Sequence, residues 1–560
     1  MMLASLLSTF DPVQNPIGFG ASDLIEFTIA ALLVALAVAW RPIIEPFGRR
    51  FSLQTRWCML GLAILPIGLR LALLAQHPVP SPDIYDEFGH LFVADTLRHF
   101  RLANPAHALP RFFETFFILQ EPTYSSIYPI GQGVMLAIGR AASGSPWAGV
   151  LLSTSAFAAL CYWMLRAWTT SAWALAGGIL AIIEFGPLNQ WMNSYWGGAL
   201  AAAAGCLVFG ALPRLVKQVR YRDSLALGGG LAIHLLVRPY ESIFLVIAVM
   251  LFLIPNMKRV MRIMPLVVLA MLPAVGIALV QNKSVTGRWT MLPYQLSQYQ
   301  YGVPASLTFQ PNPVPHRELT PQQQLEYKSQ LAFREADRDT LKTYLLRLEY
   351  RVRFYRFFFL APLFLAIPAF CFAARREFRY GWVLLTLLVF ALGINFFPAF
   401  QPHYLGVVTC LFVLISVVGL QQISLWSPEA ARLILFLCLV HSVFWYGLHL
   451  FEDEDIAPAM IQYETWDSIN HRNPERRIFV NQKLAELPGP LLVFVRYSPR
   501  HIFQDEWVYN DASIDSARII WARDLGPQEN ETLRALYPNR EVLLLEPDVR
   551  PLPQLSPYTP

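Results

Sequence analysis

Long apolar runs recur along this chain from Ser22 to about Leu450, separated by short polar loops. A run of about 20 apolar residues keeps its backbone polar groups paired within a helix and crosses the hydrocarbon of a bilayer. About twelve candidate spans follow: Ser22–Trp40, Trp57–Gln76, Trp147–Leu165, Ala172–Phe185, Ser194–Leu212, Ser224–Val237, Tyr240–Ile254, Arg262–Val280, Tyr355–Ala373, Tyr380–Phe397, His403–Leu420 and Ala431–Leu450. Only 15% of the residues are charged and 55% are hydrophobic, where a soluble domain carries about 25% charged. The expected class is a polytopic α-helical membrane protein.

The basic residues orient it. Arg41, Arg49, Arg50 and Arg56 share one loop, and Arg214, Lys217, Arg220 and Arg222 share another. Lys258, Arg259 and Arg262 follow, then Arg375, Arg376 and Arg379. Loops rich in Lys and Arg stay in the cytoplasm, and one path places all four there. Both ends of the chain then face outward, as do His77–Pro146, Asn282–Phe354 and everything after Phe451. The apolar stretch Tyr128–Ala142 is too short to span and is expected as an interfacial or re-entrant helix on the outer side. The net charge of +5 belongs to these loops, so it is a topology signal and no nucleic-acid partner is expected. The six cysteines lie in apolar runs without a CxxC pair, which indicates neither a zinc site nor a disulfide framework. The N-terminus lacks the basic region of a cleaved signal peptide.

From Phe451 the composition becomes polar and Pro-punctuated, with short apolar runs at Leu491–Tyr497, Ala517–Asp524 and Arg540–Asp548 and a helix-like "PQENETLRALY" between the last two. Residues 451–560 are expected as a small α/β domain, and residues 1–450 as the membrane module with outer loops 77–146 and 282–354.

Five chemistry-bearing stretches land on the outer side. "PSPDIYDEFGHLF" holds Asp83, Asp86, Glu87 and His90 where the chain leaves a span; it is either a solvated loop or a carboxylate site at the membrane surface. On a helix beginning near Tyr85, Asp86 and His90 share a face and Glu87 points about 100° away, while Asp83 is placed to cap the first turn. "LQEPTYSSIYPIGQG" offers Tyr124 and Tyr128 on a rigid loop, either facing a sugar or headgroup or forming a turn. "NQWMNSYWGGA" carries Trp191, Tyr195 and Trp196, expected as an interfacial aromatic belt, with Asn193 as a possible substrate contact. "HLLVRPYESIFL" sets Arg238 and Glu241 at a Pro-broken junction; Arg238 either seats an anion, pairs with Glu241 or snorkels to water. "FPAFQPHYLGV" supplies His403 and Tyr404 at the start of a span.

The motifs "YDEFGH" and "YPIGQG", the outer loop that joins them, the many spans and the outer tail resemble the GT-C superfamily of membrane glycosyltransferases. That superfamily includes lipid A aminoarabinose transferases, protein O-mannosyltransferases and oligosaccharyltransferases. The resemblance covers Pro80 to about Leu420 in layout. It implies an inverting glycosyltransferase of a bacterial inner membrane, with its site facing the periplasm. The donor would be a polyprenyl-phosphate-linked sugar and the acceptor a lipid, glycan or protein. Asp86 would then be the general base and Glu87 its support, Arg238 the phosphate seat, and Asp83, His90, Tyr124, Tyr128, Asn193, Glu241, His403 and Tyr404 the substrate-binding set. The resemblance implies no certain cofactor; it leaves open a divalent metal ion on Asp86 and Glu87. Relatives often carry a basic residue near the position of Ile127 and some a second Asp where this chain reads "NSYWGG". A secondary transporter and a GT-C-like scaffold without catalysis are the alternatives.

Overall fold

The computed structural model describes residues 45–82, 84–334, 339–450 and 475–559, with scattered positions between 28 and 39. Most of the first expected span, Ser22–Trp40, lies outside the described residues, as do Asp83 and the first part of the tail.

Each of the other eleven expected spans falls on helical chain. In order the helices are α1 Thr55–Ala72, α2 Tyr85–Arg98, α3 Ile130–Ser143, α4 Trp147–Leu165, α5 Ser171–Phe185, α6 Gly198–Lys217, α7 Tyr221–Val237, α8 Pro239–Leu253, α9 Met264–Thr286, α10 Pro293–Tyr301, α11 Pro321–Arg334, α12 Leu341–Arg353, α13 Ala366–Ala374, α14 Phe378–Ile394, α15 Thr409–Trp426 and α16 Pro428–Leu450. Among the described residues, seven helices are long and apolar enough to cross a membrane. The expected span Tyr355–Ala373 is not one straight helix. The chain bends by 112° between Leu341–Phe358 and Ala361–Ala374: the backbone is extended at Phe359 and Leu360, and Pro362, which has no N–H with which to continue the preceding helix, sits in the first turn of the next.

The buried centre of the bundle is α6 and α15. Small residues on α6 let the backbones close up: a Cβ at Gly205 would collide with the carbonyl of Val407. Where lipid replaces water, such close backbone packing supplies much of the helix–helix attraction. At one end of the bundle Ser52 Oγ meets Ser171 Oγ at 3.2 Å, Arg214 donates to the Trp163 carbonyl at 2.7 Å, and Tyr380 donates to the Trp168 carbonyl at 3.3 Å. These contacts gather the starts of α1, α5 and α14 with the ends of α4 and α6, so basic segments from distant parts of the chain meet there. The helices α2, α3 and α10 and the tail lie at the opposite end.

The tail adds α17 Glu475–Glu486 and α18 Pro527–Leu536. Besides the two-residue pair β1 Ile118–Leu119 and β2 Ser125–Ser126 of the loop between α2 and α3, it holds a four-stranded sheet. Its strands are β3 Leu491–Val495, β4 Ile519–Arg523, β5 Glu541–Glu546 and β6 Gln554–Pro557, in the order β4-β3-β5-β6. The first three are parallel and β6 is antiparallel. All five residues of β3 are buried, as a parallel strand covered on both faces requires.

The sheet shares one core with α2 and the loop that follows it: Phe92, Phe112, Phe113 and Tyr124 pack with Leu492, Phe494, Ile520 and Leu533. A backbone bridge joins Ile84 to Asp505, Asp95 accepts from the Ala512 amide at 2.8 Å, and Thr115 donates to Glu506. Burial raises the carboxyl pKa of Glu114, Glu506 and Asp511 in this interface; Asp95 adds its charge at Asp511, while Arg317 and Arg523 oppose the rise at the glutamates. An acid whose pKa is raised on folding binds protons more readily when folded. Its contribution to stability is therefore lost as pH rises above the ordinary carboxylate range. The depressed acids Asp524 and Asp548 act in a separate window, below about pH 4. Docking of the tail is expected to weaken as pH rises above the ordinary carboxylate range. Protection of the β3 amides, exchange corrected for its intrinsic rise with pH, should fall in the full-length protein as pH rises, and less so in Glu506→Gln; protection that grows with rising pH contradicts the assignment.

Candidate active site

Helix α2 begins at Tyr85 and presents Asp86 and His90 on one face. Ile84 occupies its N-cap position and has no side-chain oxygen to offer. The two side chains meet a common partner. Tyr128 donates its hydroxyl to Asp86 Oδ1, and its ring lies 4.2 Å from that of His90. This contact depends on Gly89: a Cβ there would sit 2.6 Å from Cε2 of Tyr128.

The "YPIGQG" motif braces the site. Pro129 caps α3, and the glycines that follow let that helix touch two neighbours. A Cβ on Gly133 would collide with Val93 of α2, and one on Gly131 would lie 2.7 Å from the carbonyl of Leu236 at the end of α7. Arg238 comes two residues after Leu236, at the break between α7 and α8. One short helix thus sets the spacing between the Asp86 helix and the Arg238 junction.

That junction is internally paired. The Arg238 amide donates to the His234 carbonyl at 2.7 Å, and the Arg238 carbonyl accepts from Ser242 Oγ at 2.8 Å. Ser242 Oγ also meets His234 Nδ1 at 2.7 Å. Among the described residues no ion pair within 4.0 Å joins Arg238 to Glu241. The guanidinium instead lies over the ring of Tyr404, 4.9 Å from its centroid. His403 stands beside Tyr404 and presents its ring to Trp196 at 4.9 Å.

Tyr294 of α10 shows that these groups share one space. Burial lifts its hydroxyl well above the ordinary pKa, with Tyr404, Glu241 and Asp86 raising it further and Arg238 opposing. The imidazole of His90 is held down to about 3, first by burial and then by the Arg238 charge. It is therefore neutral at physiological pH. Several buried polar atoms here have no hydrogen-bond partner among the described residues: Nδ1 of His90, Nδ1 of His403, Nε1 of Trp196 and Oε1 of Gln132. Buried polar atoms are ordinarily paired, so such a group of atoms beside a carboxylate and a guanidinium is suited to hydrogen-bonding a polar ligand.

Other expected residues lie elsewhere. Glu87 is buried and accepts from the Tyr195 amide at 3.1 Å, on a different face of α2 from Asp86. Asn193 accepts from Arg70 Nε at 2.6 Å and donates to the carbonyls of Pro187 and Asn189 at 2.8 Å each, which folds its own loop. Tyr124 packs on Phe92 in the core shared with the tail. Trp191, Tyr195 and Trp196 are buried and do not form the expected interfacial belt; the loop is folded into the bundle. Among the described residues no three His, Cys, Asp or Glu side chains are gathered as ligands of a metal ion. Asp86 and Glu87, engaged on different faces, do not make a joint ion seat, and no step below is routed through one.

Sequence reasoning missed Tyr294, Gln281 and Arg70. Gln281 Nε2 donates to the Tyr128 carbonyl at 2.9 Å. Arg70 ties α1 to the carbonyls of His77 and Pro78 at 3.0 Å each, which orders the approach to α2. A buried arginine inside an apolar run was a legible signal for the last of these.

Neither a family model nor a curated protein matches the chain. Among solved structures it is similar to ArnT from Cupriavidus metallidurans in the apo state, at 11% identity and TM-score 0.48 over 88% of this chain and 93% of that one. The same enzyme bound to undecaprenyl phosphate aligns at 12% identity and TM-score 0.47 over 87% and 93%. An oligosaccharyltransferase from Archaeoglobus fulgidus, in complex with Zn and sulfate, aligns at 10% identity and TM-score 0.44 over 86% and 67%. Likeness at this level assigns neither an activity nor a residue, and the roles below rest on this chain's own geometry.

Proposed function

We propose that this protein is an inverting membrane glycosyltransferase that moves a sugar from a polyprenyl-phosphate donor to a hydroxyl acceptor on the outer side of the membrane. One observation carries the reading: Asp86, hydrogen-bonded by Tyr128, and Arg238, stacked on Tyr404 without a carboxylate partner in Glu241, are both half-buried and both act on the buried hydroxyl of Tyr294. Asp86 removes the proton from the acceptor hydroxyl as the acceptor oxygen bonds to the anomeric carbon. The bond from that carbon to the phosphate oxygen breaks, and the electron pair leaves with the lipid phosphate. Arg238 offers that phosphate a planar, permanently charged fork. His90 is neutral there and offers hydrogen bonds rather than a charge. A single carboxylate suffices because the phosphate is already a fair leaving group, whereas a glycosidase needs a second carboxyl group to protonate its leaving oxygen.

The basic loops support a topology with the Asp86 end of the bundle on the exterior. Arg101 and Glu531 are exposed near that end and Arg220 is exposed at the other. Cysteines at 101 and 531 should react with an impermeant thiol reagent in intact spheroplasts, and one at 220 should react only after lysis. Labelling at 220 alone reverses the orientation. The activity itself is tested by incubating the purified full-length protein with polyprenyl-phosphate sugars and following release of the lipid phosphate. Comparison of lipid-linked sugars in cells with and without the gene identifies the donor, which accumulates when the enzyme is lost. Uptake of a labelled solute into proteoliposomes, with no sugar transfer, would replace this reading with the transporter.

A further inference from the structure

We propose that the basic end of the bundle, away from Asp86, holds a second ligand site: a pocket for a phosphate group, supplied by the headgroup of an acidic phospholipid or by free phosphate. A cavity of about 630 Å³ opens there, lined by Thr55, Trp163, Arg166, Arg214, Arg222 and Asp223. That size lies within the ~300–1,000 Å³ of small-molecule sites. Its residues come from α1, α4, α6 and α7, so four helices build it.

Two of the three guanidiniums, those of Arg214 and Arg166, are held in place by neutral acceptors, and the third, Arg222, is an exposed arm beside them. Arg214 lies over the Trp163 ring at 4.0 Å and donates to the carbonyls of Gly210 at 2.5 Å and Trp163 at 2.7 Å. Arg166 donates to the Ser52 carbonyl at 3.2 Å and to Thr55 Oγ1 at 3.4 Å. These acceptors are carbonyls and a hydroxyl, so both arginines keep their charge while losing their freedom to turn. The single acid in the lining is Asp223, which Arg222 approaches only at 4.0 Å. Three guanidiniums therefore face one carboxylate. Fixed guanidiniums match phosphate oxygens in geometry as well as charge, and much of the ordering cost of binding has already been met by the fold.

The rim favours the lipid source. Leu53, Trp57, Tyr221 and Leu225, one to three residues along the chain from the lining residues Thr55 and Arg222, are exposed. They offer acyl chains an apolar surface next to the polar seat, with aromatic rings suited to headgroup depth. None of these groups enters the proposed sugar transfer, so the inference stands or falls separately from it.

The test is native mass spectrometry of the full-length protein in detergent, titrated separately with phosphatidylglycerol, phosphatidylcholine and inorganic phosphate. Phosphatidylglycerol is expected to bind more tightly than phosphatidylcholine. Arg222→Gln should weaken it about tenfold, as loss of one charge-assisted contact does. The Arg222 side chain is 72% exposed, so that variant keeps its fold; Arg214→Gln provides a second reading if it folds. If inorganic phosphate competes at similar concentration, the site takes phosphate and the lipid tails add nothing. Equal binding of both lipids without competition by phosphate, or wild-type affinity in Arg222→Gln, overturns the proposal.

Discussion

Asp86→Asn is expected to leave donor binding intact and to slow sugar transfer at least ~10²-fold, the lower bound of general-base help. The asparagine keeps the shape and still accepts from the Tyr128 hydroxyl, so the loss isolates proton removal. Glu87→Gln is the control that gives this meaning. Glu87 accepts from the Tyr195 amide, and a glutamine oxygen accepts from the same amide, so its turnover should stay within a few-fold of the parent. Asp83→Asn should likewise be mild. Single-turnover rates with a labelled donor measure all three. Near-parental transfer by Asp86→Asn together with a dead Glu87→Gln would place the base on the wrong carboxylate. Three active variants would reduce the acidic stretch to solvated surface.

Arg238→Ala is expected to weaken donor binding roughly tenfold to hundredfold, because a charge-assisted contact contributes about 1.5–3 kcal/mol. Arg238→Lys should recover only part, since a point charge reproduces neither the fork nor the stacking on Tyr404. The junction does not depend on this side chain: its backbone is held by His234 and Ser242. The alanine variant should therefore fold and reach the membrane in normal amount. Titration with donor lipid, read by native mass spectrometry, gives the affinity. Unchanged affinity in Arg238→Ala would return Arg238 to a structural role beneath Tyr404.

The transmembrane helices were legible because each depends on local apolar length, which the chain states residue by residue. The buried parallel strands at Leu491–Val495 and Ile519–Arg523 were legible for the same reason. The edge strand Gln554–Pro557 was not, since it is short, polar and half exposed. The break near Pro362 was written in the chain, but a length criterion passes over it. Within the site, sequence reasoning gathered Asp86, His90, Tyr128, Arg238, Glu241, His403 and Tyr404 by assigning their segments to one side of the membrane. Helical spacing already turned Glu87 away from Asp86, but it could not say what each side chain meets: Glu87 takes the Tyr195 amide, and Asn193 serves Arg70. Tyr294 was invisible because it arrives on a separate outer helix from a distant part of the sequence.

The bridge between Ile84 and Asp505 falls two residues before Asp86. The same helix is held again where Phe88 meets Tyr509, 4.5 Å between ring centroids, and where Asp95 accepts from the Ala512 amide. The tail is thus a handle fastened to the helix that carries Asp86. At the far edge of its sheet, Gln554–Pro557, no strand among the described residues pairs with the outer side, on which an added strand can pair. A small antibody domain selected against that edge is expected to displace the helix and inhibit at a distance, with slower turnover and unaltered donor affinity as its mark. A binder that inhibited only by competing with donor would show that the handle is not coupled to the site.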